Sequence, residues 1–147
     1  MSQNKRTTKS QLPPIHVAVE EMRRLRTLAN SNKDLFPRIA NFLARELDRA
    51  SVVQDDGDLR SVVRMGSQVS YRDDMTGEVR DLVLVYPHEA DMHVRISVLT
   101  PLGAALIGLS VGQTIEFQTA GYETGKLTVL RVSPQEEGIR SNARPSV

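Results

Sequence analysis

A short apolar segment that contains a Thr-Pro pair and three glycines is the feature that most constrains this fold. Residues 96–112 read ISVLTPLGAALIGLSVG. Thr100 offers a hydroxyl N-cap, Pro101 suits the first position of a helix, and Gly108 suits the left-handed conformation that ends one. Because the residues between them are apolar nearly all round, the pattern predicts a buried helix of about two turns that follows a strand.

Alternating apolar and polar residues, the pattern of half-buried strands, surround this segment. The predicted strands are residues 69–71, 79–86, 93–98, 114–118 and 126–132. Turn-forming residues at 73–77 and 121–125 separate two of the pairs, which is typical of β-hairpins. Residues 60–133 are therefore predicted to form an antiparallel α+β domain, with about five strands that are mostly joined as hairpins and cover one short helix.

Helical periodicity marks the residues before this domain. Apolar side chains recur every three or four residues over 15–29 and again over 36–50, and the turn formers of residues 30–34 lie between the two runs. Residues 15–52 are therefore predicted to form an antiparallel helical hairpin, a short coiled coil. Helices of about 15 residues would make it project roughly 20–25 Å.

The remaining stretches are polar. Residues 1–14 are predicted to be a disordered tail, and residues 134–147 a second tail. The acidic residues 54–58 mark the boundary between the hairpin and the sheet domain. This stretch lacks the ligand spacing of a calcium loop, so its carboxylates do not predict a metal site.

The composition excludes several functional classes. The chain has no cysteine, which excludes a disulfide framework and a thiolate site. The N-terminus lacks the apolar core of a signal peptide, and no apolar run reaches the ~20 residues of a membrane span, so we expect a cytoplasmic protein without membrane contact. His16, His88 and His93 show no zinc-ligand spacing, and no other catalytic constellation is recognisable in the sequence, so we predict no catalytic residue, no metal and no cofactor.

Charge is unevenly distributed, although the net charge is only +1. Residues 1–50 contain ten Lys and Arg against five Asp and Glu, whereas residues 51–147 contain nine against thirteen. A basic hairpin favours contact with nucleic acid, but the solvated outer face of a helix pair explains the same charges. The candidate residues for nucleic-acid contact are Arg23, Arg24, Arg26, Arg38, Arg45 and Arg49.

Several separate blocks of residues resemble one known family. They are residues 46–50 (ELDRA), 77–80 (GEVR), 84–87 (LVYP) and the helix segment described above. In this order they resemble the Gre-type transcript cleavage factors and, more closely, the Rnk type, the regulators of nucleoside diphosphate kinase. The resemblance covers roughly residues 36–132. It implies an FKBP-like sheet domain that docks on RNA polymerase. The docking residues that it implies are Leu99, Thr100, Pro101 and Leu102.

The predicted hairpin tip separates the two types. Gre factors present an Asp and a Glu three residues apart at the tip, where the pair helps to hold a second magnesium ion of the polymerase. Here the tip offers Asp34, with Lys33 beside it and Pro37 three residues on. The resemblance therefore favours a non-enzymatic Rnk-type regulator that binds near the secondary channel and competes with Gre factors. The second candidate site consists of Ser31, Asn32 and Asp34.

Other interpretations stay open on the sequence. A true cleavage factor would act through Asp34 and magnesium, and a nucleic-acid-binding module would use the arginines above, although stacking aromatics are not interleaved with them. Prolyl isomerisation is disfavoured, because FKBP-type enzymes have a pocket walled by aromatic rings and this chain has six aromatic residues and no tryptophan. No motif indicates direct control of nucleoside diphosphate kinase, and the oligomeric state is not predicted.

Overall fold

A computed structural model describes residues 12–54, 59–91 and 93–134 of the chain. The helices are α1 (Val19–Ser31), α2 (Pro37–Arg49) and α3 (Pro101–Leu106). The strands are β1 (His16–Ala18), β2 (Ser51–Val53), β3 (Gln68–Asp73), β4 (Val79–Val85), β5 (Arg95–Ser97), β6 (Thr114–Gln118) and β7 (Thr124–Ser133). The predicted α+β class, a helical hairpin followed by a sheet domain with one short helix, is confirmed. Most of both predicted tails and the acidic residues 55–58 lie outside the described residues.

Five strands form one sheet in the order β5-β4-β3-β7-β6. β3 pairs antiparallel with β4 and β7, and β6 pairs antiparallel with β7. β5 instead runs parallel to β4, with Val83 beside Arg95 and Val85 beside Ser97. The sheet is thus mixed, where the sequence predicted an antiparallel one. Alternation along a strand records which side chains face the core, but it does not record the direction in which the strand pairs.

The first helix begins later than its periodicity predicted. Residues 16–18 form β1, which pairs parallel with β2 directly after the hairpin. The His16 N–H donates to the carbonyl of Gly108 (3.1 Å), and the Ser51 N–H donates to the carbonyl of Ile15 (2.9 Å). Ile15 and Val17 are buried on either side of the half-buried His16, which is the alternation of a strand. Pairing with distant backbone therefore outweighs the local helical periodicity.

The hairpin and the sheet domain share one hydrophobic core. Its buried members in the hairpin helices are Leu25, Ala29, Leu43 and Leu47. Its buried members in α3 and the sheet include Leu84, Leu106, Ile115, Leu127 and Val129. Each hairpin helix has 13 residues, and α2 packs directly on α3. The hairpin therefore packs against the sheet domain through α2, and its helices are close to the predicted length of about 15 residues.

Candidate functional site

Local hydrogen bonds fix the segment that leads into α3. The Thr100 hydroxyl accepts from the Gly103 N–H (3.0 Å) and donates to the carbonyl of Ser97 (2.7 Å). The Ser97 hydroxyl accepts in turn from the Leu99 N–H (2.9 Å). Pro101 occupies the first helical turn, where it leaves no N–H without a partner. The predicted cap is confirmed, and it holds Leu99 to Leu102 in one conformation.

Gly103 allows α3 to lie against the strand that precedes it. A Cβ atom on this residue would lie 2.1 Å from the Ser97 carbonyl oxygen and 2.8 Å from the Val98 Cα. Both atoms belong to the backbone, so they cannot move aside as a flexible side chain can. The glycine inside a helix therefore has a packing cause, a close approach that any side chain would block.

Pro101 lies between two grooves on the surface. The first, which we call the sheet groove, has a volume of about 560 Å³ and is bordered by Thr100, Pro101 and Leu102. Its apolar lining includes Tyr71, Ile96, Phe117 and Leu127, and its charged lining is Asp73, Glu123 and Lys126. All four residues of the predicted docking segment are half-buried, and Leu99 and Leu102 also pack on the core. Pro101 and Leu102 therefore combine a structural role with exposure at a groove.

The second groove, which we call the tip groove, runs between the start of α2 and the turn that joins β6 to β7. It has a volume of about 380 Å³. Its lining residues are Phe36, Pro37, Arg38, Ile39, Phe42, Arg45, Pro101, Gln118, Ala120 and Tyr122. Pro101 and Ala120 line both grooves, so the two form neighbouring depressions on one side of the molecule.

Arg38 connects the hairpin to the β6–β7 turn. Its guanidinium carbon lies 3.7 Å from the centroid of the Tyr122 ring, and its Nη2 donates to the carbonyl of Thr119 (2.8 Å). Tyr122 has a φ of 68°, in the left-handed region that non-glycine residues seldom adopt. This contact is not predictable from the sequence, because 81 residues separate its hydrogen-bonding partners and neither lies in a motif.

The predicted tip residues have separate roles. The Ser31 hydroxyl donates to the carbonyl of Thr27 (2.8 Å), and the Asn32 side chain donates to the carbonyl of Leu28 (2.9 Å). These bonds satisfy carbonyl groups at the end of α1. Asp34 is exposed and makes no hydrogen bond or ion pair with the described part of the chain. None of the three lines either groove; the start of α2, and not the predicted tip set, lies next to Pro101.

Most of the hairpin arginines already have partners within the protein. The engaged ones are Arg24, Arg26, Arg38 and Arg49. Arg24 lies 4.5 Å over the Tyr86 ring, while Arg26 and Arg49 form 2.7 Å ion pairs with Asp48 and the buried Glu46. Arg23 and Arg45 are exposed and form no ion pair with any described residue. Fewer hairpin arginines are thus available to bind nucleic acid than the number in the sequence indicated.

The pKa shifts of several titratable groups come from burial and hydrogen bonding within the fold. Burial raises the pKa of Tyr71, the phenol that lines the sheet groove, so this group stays neutral at physiological pH. The Thr128 hydroxyl donates to Asp74 (2.6 Å) and lowers the pKa of that carboxyl. Farther along the chain, the backbone N–H groups of Arg95, His93 and Val94 donate to Asp91 and lower its pKa to about 2.

The described residues, 12–54, 59–91 and 93–134, contain neither a metal-binding cluster nor a membrane-spanning helix. No three side chains of His, Asp or Glu in these ranges come together to hold a metal ion. No helix in them has the length and apolar character that crossing a bilayer requires. Among the surface depressions in the described part of the chain, the sheet groove and the tip groove have mainly apolar linings, which suits them to binding another protein.

Two family models match consecutive parts of the chain. Residues 13–53 match the model described as Rnk N-terminus, and residues 58–134 match the model described as transcription elongation factor, GreA/GreB, C-term. The first match covers β1, the hairpin and β2, and the second covers the five-stranded sheet with α3. The two matches meet within the acidic stretch of residues 54–58.

Curated relatives agree with both models. The regulator of nucleoside diphosphate kinase of Escherichia coli K12 is 41% identical over 100 residues, which are 67% of this chain and 74% of that protein. GreA of Syntrophobacter fumaroxidans is 38% identical over 78 residues, and GreA of Rhodospirillum rubrum is 40% identical over 74 residues. The matched residues are only 50% and 47% of these GreA proteins.

A solved structure agrees with these relatives over most of the chain. The GreA/GreB prokaryotic transcription elongation factor from Nitrosomonas europaea is 33% identical, with a TM-score of 0.65. The match covers 83% of this chain and 99% of that one, so it includes the hairpin as well as the sheet. Since sequence and fold agree on both sides of the acidic boundary, this chain belongs to the GreA/GreB family and, within it, to the Rnk type.

Proposed function

We propose that this protein regulates transcription by binding RNA polymerase near its secondary channel, in competition with Gre factors, and without catalysing a reaction. The observation that carries the proposal is the position of Pro101. It belongs to the docking segment that the Gre resemblance implies, and it stands at the surface between two apolar grooves. Half-buried apolar side chains beside a concave surface are common anchors of protein interfaces.

The hairpin supports a regulator over a cleavage factor. Asp34 is the only acid in residues 30–37, and Lys33 precedes it. A magnesium ion bound beside a phosphoryl group needs several oxygen ligands, and a single carboxylate next to an ammonium group holds it poorly. Because the hairpin helices are short and share the core with the sheet domain, the tip also has little freedom to reach into a distant active site.

Binding of core RNA polymerase to the Pro101→Ala variant tests the proposal. Alanine fits the first turn of a helix, so we expect a change in unfolding free energy of less than about 1 kcal/mol. We expect the affinity for polymerase to fall roughly ten-fold or more, as for an interface anchor. The matched control is Pro87→Ala, an exposed proline in the first turn of the 3-10 segment Pro87–Glu89 that borders neither groove, and this variant should bind normally.

Activity on backtracked elongation complexes completes the test. The wild-type protein should not accelerate release of the RNA 3′ fragment, and at saturation it should suppress the cleavage that Gre factors stimulate. Cleavage that disappears in Asp34→Ala would instead identify a cleavage factor. Normal polymerase binding by Pro101→Ala, or undiminished Gre-stimulated cleavage, would exclude docking through Leu99 to Leu102 at a shared site.

A further inference from the structure

We propose that the tip groove is a second protein-binding site, and that its occupant is an apolar segment of a partner protein that carries carboxylates. The groove is lined by Phe36, Ile39, Phe42, Pro101 and Tyr122, with Arg38 and Arg45 beside them. The groove shares Pro101 with the docking segment, but the proposal depends only on the chemistry of this groove, whichever protein supplies the segment.

Exposed aromatic rings supply the affinity for an apolar segment. Phe36 is 53% exposed and Tyr122 is 68% exposed, and the neighbouring Leu35 is 75% exposed. Large apolar side chains in contact with water at the edges of a concave surface gain free energy when a partner covers them. Aromatic rings are also frequent among the residues that dominate binding at protein interfaces.

The groove is preformed. The Arg38 contacts with Tyr122 and Thr119 join its two walls, and Ile39 and Phe42 are half-buried against the core. A partner segment therefore meets two walls that are already in contact and a floor whose apolar side chains are already packed. Binding to such a surface costs less conformational entropy than binding to a flexible loop.

Charge selects a carboxylate-bearing occupant. Among the described residues that line the tip groove, Arg38 and Arg45 are the charged ones, and none is an acid. The partners of Arg38 are an aromatic ring and a carbonyl, which leave its charge uncompensated, and Arg45 forms no ion pair with the described residues. Guanidinium groups bind carboxylates through charge-assisted hydrogen bonds. The sheet groove differs, because Asp73 and Glu123 line it together with Lys126.

Selection from a random peptide library displayed on phage, with the full-length chain as target, tests this inference. We expect the enriched peptides to combine Asp or Glu with Leu, Phe or Trp. Their affinity should fall roughly ten-fold or more in Phe36→Ser, in Tyr122→Asn and in Arg45→Glu. Asn tolerates the left-handed backbone of residue 122, so this variant removes the ring without adding strain. A cooperative thermal melt of each variant is the control that it is folded.

The matched control for Arg45→Glu is Arg23→Glu. Both arginines are exposed on the hairpin, both make no ion pair with described residues, and Arg23 borders neither groove. Arg23→Glu changes the net charge equally, and it should leave peptide binding unchanged. An equal loss in both variants would indicate long-range electrostatics and overturn the inference. Enrichment of basic peptides, enrichment of none, or peptides that bind Phe36→Ser and Tyr122→Asn normally would also overturn it.

Discussion

Helices α2 and α3 both begin with a proline, but they differ in the residue that precedes this proline. Each helix begins with a proline in its first turn, and Pro37 and Pro101 line the same groove. Before Pro101 stands Thr100, whose hydroxyl caps the helix, whereas before Pro37 stands Phe36, which forms no side-chain cap and is 53% exposed. The residue before α3 therefore stabilises its helix, whereas the residue before α2 keeps an aromatic ring at the surface at some cost to helix stability.

Helix length explains why the two starts tolerate different chemistry. α2 has 13 residues and buries Ala40, Leu43 and Leu47 in the core, so tertiary packing stabilises it without a capping side chain. α3 has only six residues, and a helix this short depends on caps and on burial of nearly every side chain. The uncapped position is thus available for a surface role in α2 but not in α3.

The largest effect is expected from Gly103→Ala, which breaks the close packing of α3 on the preceding strand. A Cβ at 2.1 Å from the Ser97 carbonyl oxygen forces backbone to move, so we expect a loss of about 3 kcal/mol in unfolding free energy. The control is Gly77→Ala, which has a φ of 84° but no atom within 4 Å of the new Cβ, and it should lose about 1 kcal/mol. Equal losses in chemical denaturation would show that packing at Gly103 is unimportant.

Removal of the cap in Thr100→Ala should cost about 1–2 kcal/mol, because the hydroxyl serves both Gly103 and Ser97. Thr100→Ser keeps the hydroxyl and should remain within about 0.5 kcal/mol of wild type in the same denaturation experiment. If Ser and Ala behave alike, the hydroxyl is not the stabilising group and the contrast between the two helix starts fails.

Phe36→Ser makes the start of α2 resemble that of α3, because it gives α2 the capping hydroxyl that it lacks. We expect unfolding free energy to rise by about 0.5–1 kcal/mol while binding at the tip groove falls. A thermal melt and a binding measurement on the same sample show whether the two properties change in opposite directions. A clear loss of stability would mean that the Phe36 ring contributes to folding and is not reserved for a partner.

The smallest effect is expected from Asp91→Asn. The Asp91 carboxylate, like the Thr100 hydroxyl, accepts hydrogen bonds from backbone N–H groups. Asp91 accepts from three backbone N–H groups before β5, and its pKa of about 2 lies below the ordinary 3.8. Its stabilising contribution is therefore complete above the unfolded pKa near 3.8 and is lost as the pH falls through about 2. The thermal midpoint of Asp91→Asn should decline less than that of wild type over this range, whereas Thr100→Ala should decline in parallel with wild type.

The features that the sequence predicts correctly are those whose contacts are local. The cap of α3 joins residues three apart, and β6 was predicted with its observed bounds because alternation and a following turn are local signals. The prediction failed at residues 16–18, where strand pairing to residues after the hairpin replaced the predicted helix. The arginine contacts were also missed, because a charge pattern does not show whether a ring or a carboxylate lies opposite.

The sequence by itself determined most of the two hairpin helices, the five strands of the main sheet, the short capped helix, the order of hairpin and sheet, and the family, since these depend on periodicity and on contacts within a few residues. Only the tertiary structure decided the parallel pairing of β5, the shared core, and the two grooves on either side of Pro101. These features join residues far apart in the chain. Their free energy comes from burial and pairing across elements, and no local pattern of residue types records it.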